Sequence, residues 1–416
     1  MIALYLILLI MAPQVWLEPF VGWSVDYFLY PFWLGVLLFK GKLNRLWDFQ
    51  SHDFVFLAMI GWIILSSLIN QSNELTNKIL IDYIKFFSLY RLVIASIENF
   101  GQMQRVISIM LVLSYILVLE SIQHKFSLDG IGWAGQSLGW ADEEVLKTTG
   151  SGRTQWINIF DGPGVFCVIF TNALPFVMRY FDKHYSLIKK ILAIIMIVPL
   201  LVAIYFTSSR GGFIASSAIF FTYITIRSQP SPRKICVAVI ISALLFLLAP
   251  AFLTSTSDSH GSAQQRVEMW KQGVEMTKYH PVFGVGKGNF QKYSGRLIAH
   301  NSAIEVMGET GLPSFFLWVT FIFLSLKGLF LFYKSSEDNL VQQSLAKALG
   351  ICIVGYIAGS MFVTLEYETF YFLLALAAAF GRMSGVPLQY SQRNFISICI
   401  GIVGWVIFLK VFFVIY

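Results

Sequence analysis

Three side chains in this sequence have the types and settings for chemistry: Arg210, Arg266 and His300. Arg210 stands in FTSSRGGFIAS, Arg266 in QQRVEMW and His300 in AHNSAIE. Arginine presents a planar fork of donors that matches phosphate oxygens. Histidine has an ordinary pKa of about 6.5, so it can take a proton at neutral pH. The set therefore suits an anionic phosphate group and a proton transfer beside it. Each residue also has a plainer reading. Arg210 could snorkel to a membrane interface, Arg266 could line a solvated helix face, and His300 could be structural. Gly211-Gly212 would allow close approach of backbone or of a ligand, and Ser208 and Ser209 add hydroxyl donors beside Arg210. Arg266 lies near a helix N-terminus, which itself favours anions. His300 precedes Asn301, and Ile304, Met307, Gly308 and Gly311 then share one helical face. Small residues on that face predict tight packing onto a membrane helix, which would hold His300 at the membrane surface.

The element that must position two of the three is the 254–312 segment, the longest polar interval in the chain. Ser262 with Gln265 is a capping-box start, and Val267, Trp270 and Val274 give the helix that follows an apolar stripe. His280-Pro281 ends that helix, because a residue before proline avoids the α region. Gly284, Gly286 and Gly288 then predict a tight, mobile turn. A second helix is expected from Asn301 or Ser302, capped by Ser302 with Glu305 and stopped by Gly311 and Pro313. GVGKGN at 284–289 is not a nucleotide loop: it follows no predicted strand and lacks the GKS/T ending. The earlier 124–158 segment carries Asp142, Glu143, Glu144 and Lys147 on an expected solvated surface. Arg153, in GSGRTQWINIFDGPG, and Asp161 are lesser ligand candidates, and Glu366 and Glu368 could border the same cavity.

Composition sets the class. The 416 residues are 56% hydrophobic and only 13% charged, about half the charge of a soluble domain. Apolar runs near 1–17, 19–39, 54–70, 79–97, 105–123, 159–181, 188–206, 211–227, 234–253, 313–333, 345–363, 367–382 and 395–415 predict an all-α polytopic membrane protein. That is about 12–13 transmembrane helices, with prolines interrupting the first pair. Asp82, Lys85 and Arg91 give the 79–97 run a tilt or an inward-facing side. The N-terminal run has no basic region or cleavage site and is expected to be a span. Most Lys and Arg fall in one set of loops, which the positive-inside rule assigns to the cytoplasm. The 124–158 and 254–312 loops are then periplasmic. Residues 1–416 form a single membrane domain, and the net charge of +7 reflects topology, so nucleic acid is not an expected partner. The four cysteines, Cys167, Cys236, Cys352 and Cys399, lie in apolar runs without CxxC spacing, and no metal or cofactor site is expected. No internal repeat is visible, which disfavours a transporter built from inverted halves.

The ordered set SSRGGFIA, RVEMWKQGVEM, HPVFGVGKGNF and AHNSAIEVMGETGLPSFFLW resembles the O-antigen ligase and polymerase superfamily of bacterial envelope glycosyltransferases. The resemblance covers residues 200–335, and TQWINIFDGPG is similar to polymerase relatives in exopolysaccharide clusters. It implies a metal-independent, inverting glycosyltransferase of the bacterial inner membrane, active at the periplasmic face. The implied donor is an undecaprenyl-diphosphate-linked glycan, and the acceptor is another glycan or lipid A-core. Arg210 and Arg266 would hold the diphosphate, and His300 would serve the acceptor hydroxyl or the leaving group. Arg153, Asn301, Gly284, Gly286 and Glu309 would contact substrate. The resemblance leaves ligase and polymerase open. A non-catalytic polysaccharide transporter or a structural subunit of an assembly complex is the rival reading.

Overall fold

The computed structural model of the chain describes residues 1–17, 25–71, 73–139, 152–226, 262–295, 297–335, 339–385 and 391–415. Among these residues regular structure is helical, with β pairing limited to isolated bridges such as Gly139 with Arg153. Seven described helices are long and apolar enough to cross a membrane, and two shorter apolar helices, Phe28–Phe39 and Arg210–Ile226, accompany them. The chain is thus a multi-pass α-helical membrane protein. Helix Leu187–Thr207 shows why: Ile188, Ile191, Ile195 and Val198 are all exposed, a face that only a bilayer would cover.

Most helices fall on the predicted runs. The first run breaks at Ala12, which has φ +48°, and Pro13 restarts a short helix. The run at 234–253 lies outside the described residues. The expected stop at Gly311 and Pro313 is found: within Ser302–Ser335 two helices meet at a kink, where Gly311 leaves the helical conformation at φ +80°, ψ 174°.

The chain forms two compact units. The first comprises Met1–Gly41, Ser96–Ser255 and Phe332–Phe362. Within it, helix Arg210–Ile226 lies close against Leu340–Ser360 and Pro163–Met178. A Cβ on Gly211 would come within 3.2 Å of the Gly359 carbonyl oxygen, and one on Gly212 within 2.9 Å of Cys167 Sγ. Asp182 gathers Lys347 Nζ and Tyr223 Oη at the end of these helices.

The second unit comprises Lys42–Ala95, Thr256–Leu331 and Val363–Tyr416. Its core is aromatic: Phe56 stacks on Tyr371 and on Phe321, with ring centroids 5.0 and 4.8 Å apart. Arg91 faces inward here. It donates to the carbonyls of Arg45, Leu46 and Asp48 and pairs at 3.0 Å with buried Asp53, which also binds Arg382. Asp82 and Lys85 remain half-buried.

Candidate functional site

In the second unit the site is assembled from helix Ser262–Tyr279, the glycine turn and the first turns of helix Ser302–Ser335. The first helix ends at Tyr279, before His280-Pro281, as the proline requires. Its buried face is rotated from the predicted stripe: Met269, Trp270, Met276 and Thr277 are buried, whereas Val267 and Val274 are half-exposed. The reason is Gly273. A Cβ there would lie 2.3 Å from Ile304 Cγ2, so only glycine lets the two helices cross this closely. Gly308 completes the crossing, with its Cβ position 3.2 Å from the Gly273 carbonyl oxygen. Gly308, expected to pack on a membrane helix, therefore packs on the preceding loop helix, and Gly311 meets Val282 in the turn that follows it.

The glycine turn is tight, as expected, and is pinned by hydrogen bonds to the segments around it. Gly284, Gly286 and Gly288 have φ of +62°, +91° and +82°. Val285 N donates to Gly308 O at 3.1 Å, and Gly286 N donates to Glu309 O at 2.8 Å. Leu312 N donates back to Pro281 O, and Ser66 Oγ holds Phe283 O and Glu309 O from helix Ser51–Asn70. A Cβ on Gly284 would sit 2.3 Å from the Glu309 carbonyl, and one on Gly311 2.1 Å from Val282 O. These glycines answer a close backbone approach within the protein.

The turn delivers Lys287 into a buried acid cluster. Its Nζ lies 2.8 Å from Glu366, 3.1 Å from Glu309 and 3.9 Å from Glu305. Glu366 Oε1 accepts from Tyr83 Oη at 2.8 Å and from Tyr371 Oη at 3.0 Å. Thr364 Oγ1 donates to Glu305 at 2.6 Å, and Phe290 N donates to Glu309 at 3.1 Å. Burial alone would lower the Lys287 pKa; Glu309, Glu366 and Glu305 outweigh it and raise it well above the usual lysine value. Sequence reasoning named Glu309 and Glu366, read Glu305 as the capping partner of Ser302, a role that Asn301 takes instead, and missed Lys287, Thr364, Tyr83 and Tyr371. Glu305 and Glu309 at i, i+4 carried the signal, since like charges so spaced repel unless a cation joins them.

His300 stands at the edge of this assembly in the left-handed region, at φ +51°. Trp270 Nε1 donates to Ala299 O on one side of it. On the other side Asn301 Oδ1 caps the helix, accepting from Ala303 N and Ile304 N at 3.1 and 3.2 Å. Asn301 is fully buried, and its Nδ2 has no hydrogen-bond partner among the described residues. Burial, and then the positive charge of Arg266, lower the His300 pKa to about 4. The imidazole is therefore neutral at pH 7 and keeps an acceptor nitrogen, with a weaker affinity for protons than its ordinary pKa implies.

Arg210 belongs to the first unit, where it opens helix Arg210–Ile226. Ser208 before it closes helix Leu187–Thr207 in the left-handed region, at φ 47° and ψ 39°. Ser209 Oγ accepts from Gly212 N at 3.2 Å. Arg153 lies in the same unit and turns its guanidinium to this junction. It donates from Nε to Thr207 O and from Nη2 to Ser208 O, each at 3.1 Å. Asp161 is exposed, and its backbone forms an isolated bridge with that of Trp156.

Residues 195–319 match the model of the O-antigen ligase family. Arg210, Arg266, Gly284, Gly286, His300, Asn301 and Glu309 lie inside the match, as do Lys287 and Glu305; Arg153 and Glu366 lie outside it. The match supports the O-antigen ligase and polymerase superfamily. No curated protein matches the chain.

Proposed function

We propose that the protein is an inner-membrane glycosyltransferase that transfers or polymerises an undecaprenyl-diphosphate-linked glycan at the periplasmic face. The observation that carries this reading is His300. A non-glycine residue held at positive φ costs about 1–3 kcal/mol, and such strain concentrates at functional sites. Here it is imposed by the Trp270 contact and the Asn301 cap, next to a buried amide donor with no partner among the described residues.

The chemistry follows from balance. An acceptor hydroxyl attacks the anomeric carbon, and the bond from that carbon to the diphosphate oxygen breaks. The hydroxyl proton passes to the neutral His300 imidazole, a step worth about 10²–10⁴ in rate. A single displacement inverts the anomeric centre. The departing diphosphate gains one negative charge, and Arg210 and Arg266 offset it. That charge also counters Arg266 at His300, so the bound donor makes the imidazole a stronger base than it is in the free protein. Asn301 Nδ2 serves the acceptor, and Arg153, Gly284, Gly286 and Glu309 set the surroundings. No metal enters this scheme, so turnover should survive excess EDTA.

The test is turnover of a lipid-linked repeat by the purified protein, with and without lipid A-core. Longer glycans on the lipid carrier identify a polymerase, and transfer to core identifies a ligase. No new glycosidic bond with either acceptor sinks the reading.

A further inference from the structure

We propose that Arg153 is a positioning residue, which clamps the turn before Arg210 so that Arg210 leaves its helix in one fixed direction. This rests on the reading of Arg210 as the group that grips the donor diphosphate.

A helix leaves its last carbonyls without partners of its own. Glycine usually takes the left-handed position that closes such an end, but here the residue is Ser208. Outside donors make up the difference. Three consecutive carbonyls at this end are served by two adjacent residues. Phe206 O accepts from Thr154 N at 3.1 Å, Thr207 O from Arg153 Nε and Ser208 O from Arg153 Nη2. The clamp is itself fixed. Arg153 N and O pair with Gly139 O and N at 3.2 and 2.7 Å. Thr154 is fully buried and its Oγ1 meets Ser121 Oγ at 3.0 Å, while Trp156 Nε1 donates to Ile10 O at 2.8 Å.

On the far side of the turn the next helix is equally constrained. Gly211 and Gly212 seat it so closely that an added Cβ would come within 3.2 Å of Gly359 O and 2.9 Å of Cys167 Sγ. Ser208 and Ser209 are thus a short joint between two fixed helices, and Arg210 is the first residue beyond it. The direction of Arg210 depends on the Ser208 peptide, which Arg153 holds through its carbonyl. The planar fork reaches two successive carbonyls at once; a lysine ammonium at the same place cannot match both directions.

The experiment compares Arg153→Gln, Arg210→Gln and the double variant in the full-length protein in lipid nanodiscs. Amide exchange across 206–214 is followed by mass spectrometry, beside turnover of an undecaprenyl-diphosphate-linked repeat. Arg153→Gln is expected to speed exchange at Ser208–Gly212 by about tenfold. It should lower kcat by about thirtyfold while KM for the donor changes less than about threefold. Added to Arg210→Gln, it should cost no more than about a further twofold, because the two act as one unit. Ser208→Gly placed in Arg153→Gln should recover at least about a third of the lost turnover, since glycine takes the left-handed turn unaided. That pair also covers the case in which Arg153→Gln alone does not fold. Unchanged exchange at Ser208–Gly212, multiplying losses in the double variant, or full rescue by Arg153→Lys each overturns the proposal. If the unaltered protein turns over no lipid-linked donor, the glycan-transfer reading fails and exchange alone still judges the clamp.

Discussion

Lys287 Nζ lies 2.8 Å from Glu366 Oε2, and the two residues are 79 positions apart in the chain. Glu305, Glu309 and Glu366 are each at least nine-tenths buried, and Lys287 is the cation they share. Lys287→Met would leave three buried carboxylates around an apolar side chain. Breaking a buried pair from one side costs about 3–5 kcal/mol. Thermal unfolding in detergent should fall markedly for Lys287→Met, and Glu366→Gln added to it should restore part of the loss. An unfolding temperature like that of the unaltered protein would mean the cluster carries little of the stability.

The glycine turn offers an internal control. Gly284 and Gly288 both have positive φ, but a Cβ at Gly284 meets the Glu309 backbone at 2.3 Å while one at Gly288 meets nothing within 4 Å among the described residues. Gly288→Ala should cost only the backbone term, about 1–2 kcal/mol. Gly284→Ala adds a clash with backbone that cannot rotate away, so its loss should be clearly larger. Equal unfolding temperatures for the two variants would contradict the close approach.

The acid limb of the pH–rate profile should lie well below that of an ordinary histidine. Burial and Arg266 bring the His300 pKa to about 4, so the base form persists as pH falls and is lost only on approaching that value. In kcat/KM, which reports the free protein, activity should stay level from about pH 8 to about pH 5. Arg266→Gln removes one of the two causes and should move the limb upward. A limb near pH 6.5 in the unaltered protein would remove this setting for His300.

Arg210 and His300 should fail in different ways. Arg210→Lys should lose turnover nearly as badly as Arg210→Ala, because a point charge does not reproduce the fork. His300→Ala should lower turnover by about 10²-fold or more and leave donor binding largely intact, since a base acts mainly in the transition state. The measurement is donor binding beside turnover at matched membrane levels. Near-normal turnover in both alanine variants would leave only the structural readings.

The Lys and Arg distribution predicts the side of the membrane. In a cysteine-free background, a cysteine at exposed Tyr293 should react with an impermeant thiol reagent from outside, and one at Ser186 should not. The reverse pattern would place the His300 region in the cytoplasm and end the periplasmic reading.

The sequence by itself determined the class, the helices and the main candidates. Apolar runs long enough for a bilayer can be little else, and His280-Pro281 stops a helix by local sterics wherever it lies in the fold. Arg210, Arg266 and His300 stood out because a charge or an imidazole near an apolar run needs a reason. Tertiary structure alone decided what these residues meet. Gly284, Gly286 and Gly311 read as a mobile turn and a helix stop, and their neighbours are the Glu309, Asn70 and Val282 backbones or side chains, at distances no local rule contains. Gly273 turned the buried face of helix Ser262–Tyr279 away from its valines, because closeness to Ile304 outweighed side-chain hydrophobicity. Lys287 and Glu366 become partners only when segments 79 residues apart are brought together. Arg153 is a candidate ligand by residue type, and only the fold shows that its guanidinium reaches the Thr207 and Ser208 carbonyls. Local propensity reads from neighbours in the chain, whereas burial, close approach and the pairing of charges depend on neighbours in space.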